Sequence, residues 1–268
     1  MSEGFDKLAG AIGDTLKTAP TLYEDALQPT VQEIGKFAAR IPRAINAAFS
    51  GLDKWILNKE YAIDETKKLL AQKLENVDPE KIVEPEAYVA VPAIQAISYS
   101  MNSEELRNLY ANLLAKAMNS DTKDLVHPSF VEIIKQMSPI DSLVFKTIME
   151  RNPNPIIDLV YNKYNSDIPI PVESRTIITN VTDINIAPVE TICISIDNLI
   201  KQGLISIPIG KAYVDTSLYD DILKTPFYIA QQQSCPDTPD GYKFSHTNKM
   251  IVKTHLGSLF YKICTIDL

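Results

Sequence analysis

Glycine and histidine are scarce in this sequence, with 9 Gly and 3 His among 268 residues. Loops that cradle phosphate groups use several glycines in close order, so the shortage argues against a nucleotide-binding enzyme. A metal centre needs His, Cys or carboxylate ligands close together. His127, His246 and His255 are scattered along the chain, so we expect no metal site and no cofactor.

Cysteine is equally sparse. Cys193, Cys235 and Cys264 are far apart, odd in number and form no CxxC pair, which favours a reduced, cytoplasmic protein over a disulfide-bonded one. Residues 1–16 contain acidic residues and no continuous apolar run, so we expect no signal peptide. No stretch approaches the ~20 uncharged apolar residues of a membrane-spanning helix.

Known catalytic patterns are also missing. There is no GxSxG nucleophile motif, and no Arg is followed by a His four to six residues later on one helix. Asp121 and Lys123 lie in a polar connection, and Glu132 and Lys135 are spaced as a helical surface pair. We therefore predict no catalytic residue and a protein that is not an enzyme.

Charge, hydrophobicity and length limit the possible partners and the domain organisation. The formal net charge is −8 with a pI near 5.0, whereas binding along a phosphate backbone needs clustered Lys and Arg. Hydrophobic residues make up 45% of the chain, enough for a packed core. The length suits one large domain or two ordinary ones.

The stretch from Asn102 to Arg151 predicts three consecutive helices. In the first, Leu106, Leu109, Tyr110 and Leu113 recur at helical spacing, and Asn102 is expected to cap it in a capping box with Glu105. Residues 127–129 open the second. The third begins at residues 138–141, where Ser, Pro and Asp stand in the order of a strong helix start.

Residues 1–75 also show helical stripes, at 5–16, 31–41, 45–56 and 61–74. The piece from Gly35 to Phe49 carries Lys36, Arg40 and Arg43 and no acid. Such a piece suits an anionic membrane surface or the groove of a partner. It also suits an ordinary packed helix pair with solvated basic residues, which we prefer because three cations are few for stable membrane attachment.

The second half of the sequence predicts strands as well as helices. Strands are predicted at 156–161 and 175–181, a helix at 188–202 ended by Gly203, a short strand at 204–207, an irregular segment at 209–248, a strand at 249–253 and a last helix capped by Thr254. This order resembles a winged helix-turn-helix with a stretched wing. The predicted fold is thus mainly α, with a multi-helix domain over residues 1–137 and a winged-helix-like α+β domain with a long hairpin insertion over residues 138–268.

Helix 188–202 would be the recognition helix of such a domain. It contains Glu190 and Asp197, a single cation, Lys201, and no Arg to bind a guanine edge. We therefore expect the winged part to serve protein contact or the core, and binding to nucleic acid is the alternative. That alternative predicts one basic patch in the folded protein, formed by Lys201, Lys211, Lys249 and Lys253.

Residues 91–119 and 126–148 resemble the abortive infection alpha (Abi-alpha) family, bacterial proteins associated with phage defence. The residues that carry the resemblance are Pro92, Ala93, Ala96, Ser98, Tyr99, Glu105, Leu106, Arg107, Tyr110, Ala111, Asn112, Leu113, Leu114, His127–Ser138 and Pro139. Residues 195–208 and 254–264 also match the family's shape. The resemblance implies a role in defence against phage and assigns no reaction.

Several polar residues within the resemblance are candidates for a binding surface, and the alternative is that they act as caps and buried hydrogen bonds. They are Arg107, Asn112, His127, Ser129, Glu132 and Gln136. We expect a non-enzymatic protein of abortive infection that binds a phage or host protein, with homo-oligomers as a further option. The alternatives are a winged-helix regulator that binds nucleic acid and an effector that acts on membranes through residues 1–60.

Overall fold

Helices make up most of the computed structural model, which describes residues 40–49, 60–97, 100, 102–165, 168–234 and 242–268. The predicted stripe at 5–16 and nearly all of the one at 31–41 lie outside these residues. The first half contains helices α1 (Arg40–Phe49), α2 (Glu60–Leu74), α3 (Ala87–Ile97), α4 (Glu104–Ala117), α5 (Ser129–Lys135) and α6 (Pro139–Glu150). The three helices predicted between Asn102 and Arg151 are thereby confirmed as α4, α5 and α6.

Helix α4 lies at the centre of the helical core, in contact with α2, α3, α5 and α6. Leu109, Tyr110, Leu113 and Leu114 are each at most 3% exposed, as the apolar spacing predicted. The predicted cap at Asn102 was wrong by one residue. Ser103 has the extended backbone of an N-cap, and its hydroxyl accepts a hydrogen bond from the Leu106 N–H at 3.3 Å.

The start of α6 is confirmed as predicted. The Ser138 hydroxyl accepts a hydrogen bond from the Asp141 N–H at 3.1 Å, and the Asp141 carboxylate accepts one from the Ser138 N–H at 2.7 Å. This reciprocal capping box satisfies two backbone donors that a helix start otherwise leaves open.

The second half adds strands β1 (Pro155–Asn165) and β2 (Ile168–Val181), helix α7 (Val189–Lys201), strand β3 (Ile205–Ser206), helices α8 (Asp220–Leu223) and α9 (Pro226–Ser234), strands β4 (Tyr242–Met250) and β5 (Val252–Lys253), and helix α10 (His255–Phe260). A π-helical turn, Tyr261–Thr265, follows. Strands β2, β1 and β4 form one antiparallel sheet in that order, and β3 pairs with β5 in another. Gly203, at φ 74°, follows α7 as predicted.

The predicted irregular hairpin at 209–248 was wrong. A 3₁₀ helix (Thr216–Tyr219), α8 and α9 occupy its first part, and β4 pairs with β1 instead of β3. Tyr219, Ile222 and Tyr228 are buried in a small second core with Ile157 and Leu159 of β1. Burial of these side chains against the sheet is what orders the segment.

The predicted strand at 249–253 divides between the two sheets. Its midpoint, Ile251, is 3% exposed and donates its N–H to the Asn154 carbonyl at 3.0 Å, which separates β4 from β5. Next to β5, α10 packs closely on the end of β3. A Cβ on Gly257 would lie 1.9 Å from the Leu204 carbonyl oxygen, so only glycine fits there. Among the described helices, none is long and apolar enough to cross a membrane.

Candidate functional site

Four of the six candidate surface residues lie on α5 or at its two ends. His127 Nδ1 accepts a hydrogen bond from the Ser129 N–H at 3.1 Å and lies 2.7 Å from the Ser129 hydroxyl. His127 thus contacts the first residue of α5 through both the backbone N–H and the hydroxyl of Ser129. The imidazole itself is exposed.

Glu132 and Gln136 are exposed on the same helix and its C-terminal end. Both Glu132 carboxylate oxygens lie within 3.1 Å of Lys135 Nζ. The Gln136 carbonyl accepts a hydrogen bond from Asn198 Nδ2 of α7 at 2.9 Å. The backbone of Gln136 therefore ties α5 to α7, while its side chain faces solvent.

The other two candidates, Arg107 and Asn112, lie on α4 and not on α5. Asn112 is 3% exposed, and its Nδ2 donates to the Cys264 carbonyl at 3.1 Å, which ties α4 to the π-helical turn. Arg107 is half-buried in a cleft between α2 and α4 that Glu65 and Glu104 also line. The six candidates therefore do not form one surface, because only those on α5 come together.

Beside α5 lies a cavity of about 360 Å³ between α3, α4 and α5, called here the apolar cavity. Its lining is mainly apolar, with Gln95, Ser100 and Lys135 as polar members. The apolar lining residues are Pro92, Ala96, Leu106, Tyr110, Ile134 and Met137. All six are among the residues that carry the resemblance to the abortive infection alpha family.

Tyr110 is the buried polar residue of this cavity. It is 1% exposed, and its hydroxyl has no hydrogen-bond partner among the described residues. Burial, together with the nearby Glu132 charge, raises the pKa of Tyr110 well above its ordinary value. The hydroxyl therefore stays protonated at physiological pH and can donate a hydrogen bond.

The opposite side of α4 faces the C-terminal residues through charged and amide side chains. Lys73 Nζ of α2 lies 2.6 Å from Asp267 Oδ1, and Lys116 Nζ of α4 donates to the Asp267 carbonyl at 3.2 Å. The hydrogen bond from Lys73 lowers the pKa of Asp267. Lys116 is 7% exposed, and its pKa is lowered by burial and then by the positive charge of Lys262.

This cluster was not predicted from the sequence. Asn112 was a candidate for a binding surface, and the structure buries it together with Lys116. One signal was available, since a helix with apolar residues on most of its circumference has little surface left for solvent. Polar residues four positions apart on such a helix indicate a buried contact with another segment, and that segment lies about 150 residues later.

The four lysines of the nucleic-acid alternative differ in their surroundings. Lys201 and Lys211 are exposed. Lys249 forms an ion pair with Asp158, and Lys253 Nζ donates to the Met149 carbonyl near the end of α6 at 2.7 Å. Two of the four charges are thus engaged within the protein.

Neither described cysteine is placed or charged as a nucleophile. Burial and the charges of Asp197, Glu190 and Asp158 raise the pKa of Cys193 to about 12, and burial raises the pKa of Cys264 well above its ordinary value. Neither thiol is a thiolate at neutral pH. Within the ranges the structure describes, no group of three or more His, Cys, Asp or Glu residues is arranged to hold a metal ion.

Residues 58–264 match the family model described as abortive infection alpha. No curated protein and no solved structure matches the chain. The matched range contains α2 through α10, the apolar cavity and the contact of Asn112 with Cys264.

Proposed function

The chain belongs to the abortive infection alpha family, and from this premise we propose that it acts in the cytoplasm as a non-enzymatic protein of antiphage defence that binds a protein partner. The partner is a phage or host component. The apolar cavity beside α5 carries this proposal. An apolar recess rimmed by charged and polar residues suits an anchoring side chain from a partner protein.

The surroundings of the cavity support a docking role. At about 360 Å³, the cavity is near the small end of the ~300–1,000 Å³ range for ligand sites, a size suited to one large side chain. His127, Glu132 and Gln136 place exposed polar groups on the adjacent helix, as in the polar rim of an interface. The protonated thiols of Cys193 and Cys264 support a role other than nucleophilic catalysis.

A tryptophan at the mouth of the cavity tests the proposal. Gln95 is an exposed lining residue of α3, so Gln95→Trp would occupy the space without opening the core. The matched control is Gln232→Trp, at an exposed position of α9. In bacteria that express the chain, the wild type and the control should reduce phage plaque formation, and Gln95→Trp should restore it.

Co-purification separates a protein ligand from a small molecule. The proposal requires a protein that is bound by the wild type and by Gln232→Trp and lost from Gln95→Trp. Equal protection by both variants, or a small apolar molecule in the cavity with no protein bound, would contradict it. A second copy of this chain as the partner would appear as an oligomer that Gln95→Trp dissociates.

We further propose that residues 138–268 are a winged-helix derivative used for protein contact. Helices α6 and α7 pack together, as the two helices of a helix-turn-helix would. The small β3–β5 sheet follows α7, in the position that the wing would take. The exposed residues of α7 include Glu190, Ile194 and Asp197. Two carboxylates beside an exposed isoleucine repel phosphate and favour a protein surface. A salt-sensitive mobility shift with duplex DNA, abolished by Lys201→Glu, would instead establish the regulator.

The membrane alternative is less favoured by the surroundings of α1. Arg40 donates to the Pro79 carbonyl at 3.0 Å, and Ile45 is 4% exposed in the helical core. This helix therefore packs against the protein as the ordinary helix pair would. Leakage of anionic liposomes by the purified chain would favour the effector instead.

A further inference from the structure

A second cleft, of about 250 Å³, lies between α2, α4, α6 and the C-terminal residues 264–267. We call it the polar cleft, and we propose that it binds a small phosphate ester, a phosphorylated sugar or nucleoside. This inference does not rest on the proposed function, because the polar cleft and the apolar cavity adjoin different sides of α4 and share no lining residue.

Hydrogen-bonding groups without protein partners line this cleft. Ser142 of α6 is 8% exposed, and its hydroxyl bonds to no residue that the structure describes. Asn108 on α4 is half-buried, and its side-chain amide likewise bonds to no residue that the structure describes. Asn112 Oδ1 and Thr265 Oγ1 are buried and likewise have no partner in the described part of the chain. Buried polar atoms are rarely left unpaired, so the two buried oxygens, with the Ser142 hydroxyl and the Asn108 amide in the same cleft, indicate a polar ligand.

The charge around the cleft favours an anion. Lys73 and Lys146 line it from α2 and α6, and Lys116 and Lys262 lie close by near Asp267. Glu105 and Asp267 also line the cleft, Asp267 forms an ion pair with Lys73, and Glu150 lies beside Lys146. Lys146 Nζ is 3.9 Å from Glu150 and its side chain is 55% exposed, so it is available to a ligand. Burial lowers the pKa of Lys116, and the charges of Lys262 and Lys73 lower it further while Asp267 raises it, so positive charge predominates around Lys116.

Size and chemistry together define the ligand class. The cleft is smaller than the ~300–1,000 Å³ of typical drug-sized sites, which suits a single sugar or nucleoside unit. Hydroxyl groups of such a unit match the Ser142 hydroxyl and the Asn108 amide. A phosphate group, with a charge of about −1.5 to −2 and three acceptor oxygens, matches the lysines of the two opposing walls.

Calorimetric titration of the purified protein with glucose 6-phosphate and AMP tests the inference, with glucose, adenosine and inorganic phosphate as comparison probes. At least one ester should bind at neutral pH and low salt, and its uncharged counterpart should bind at least about tenfold more weakly, because charge-assisted hydrogen bonds are lost. Absence of binding by both esters, or equal binding of the ester and its uncharged counterpart, overturns the proposal.

Two matched lysines locate the site. Lys146 (55% exposed, beside Glu150) and Lys135 (49% exposed, beside Glu132) are both surface lysines with a nearby carboxylate on their own helix. Lys146→Gln should weaken ester binding about tenfold, and Lys135→Gln should leave it unchanged. Ser142→Ala should weaken the ester and leave inorganic phosphate unaffected. If Lys146→Gln and Ser142→Ala bind the ester as the wild type does, the cleft is not the site. Because no phage is involved, this result is independent of the plaque test above.

Discussion

The two sides of α4 are buried by different kinds of contact, apolar packing on one side and polar hydrogen bonds on the other. Toward α3 and α5, Leu106 and Tyr110 contribute mainly apolar surface to the core and to the apolar cavity. Toward the C-terminal residues, Asn112 and Lys116 bury polar groups that hydrogen-bond to the backbone at residues 264 and 267. Successive helical residues are ~100° apart, so a single helix of 14 residues supports both arrangements.

The difference shows where the stability of the helix comes from. Burial of apolar area removes surface from water and contributes ~25 cal/mol per Å². A buried hydrogen bond replaces one made to water and contributes only about 0.5–1.5 kcal/mol, and a buried charge contributes even less or destabilises. We therefore expect the apolar side to dominate stability, and the polar side to fix the position of the C-terminal residues.

Tyr110→Ala tests the apolar side and should have the largest effect. Removal of a fully buried aromatic side chain leaves a void in the core and should lower the free energy of unfolding by about 3–5 kcal/mol. Tyr88→Ala on α3, where the side chain is 60% exposed, should change it by less than ~0.5 kcal/mol. Urea unfolding of the three proteins measures both effects. Equal losses in the two variants would remove the basis for the comparison.

Asn112→Ala tests the polar side. It removes the donor to the Cys264 carbonyl and leaves that buried oxygen unpaired, so we expect a loss of about 1–3 kcal/mol. Asn108→Ala, one turn earlier on the same side of α4, breaks no hydrogen bond to a described residue and should cost less than ~0.5 kcal/mol. Hydrogen exchange of the amides at 261–265 should rise in Asn112→Ala alone. Unchanged exchange there would mean that the amide does not hold the C-terminal residues.

The two sides also differ in how well the sequence predicts them. The apolar side follows from local spacing, since Leu106, Tyr110 and Leu113 repeat at helical intervals, and the Ser138–Asp141 start of α6 follows from four adjacent residues. The polar side depends on a hydrogen bond from Asn112 to a backbone carbonyl 152 residues away. A backbone acceptor carries no side-chain signature, so no sequence pattern identifies it.

The pairing of β4 with β1 escaped prediction for a related reason. Residues 242–250 read YKFSHTNKM, which lacks the apolar alternation of a half-buried strand. Partners from β1 supply what the strand lacks, for example Leu159 opposite His246. The error at Asn102 was of another kind, because Asn and Ser are comparable N-caps, and only the backbone conformation at Ser103 decides between them.

Lys116→Met asks whether the buried cation destabilises the polar side. The pKa of Lys116 in the folded protein is lowered from 10.5, first by burial, so the charged form is disfavoured there. Replacement by an apolar side chain of similar length should stabilise the protein by about 1 kcal/mol at neutral pH. Between the folded and unfolded pKa values the unfolded chain binds more protons, so the stability of the wild type rises with pH in that window. The advantage of Lys116→Met should therefore shrink as pH approaches 10.5. A variant less stable than the wild type would mean that the contact with Asp267 outweighs the cost of burying the charge.

Tyr110→Phe should have the smallest effect and bears directly on the apolar cavity. The hydroxyl has no hydrogen-bond partner among the described residues, so its removal should leave the free energy of unfolding unchanged or raise it by up to about 1 kcal/mol. Denaturant unfolding of this variant beside Tyr110→Ala separates the hydroxyl from the ring. A loss of more than about 1 kcal/mol would show that the hydroxyl is hydrogen-bonded in solution to a group outside the described residues. If that group belongs to a molecule held in the apolar cavity, the comparison extends further, since both sides of α4 would then bind a ligand.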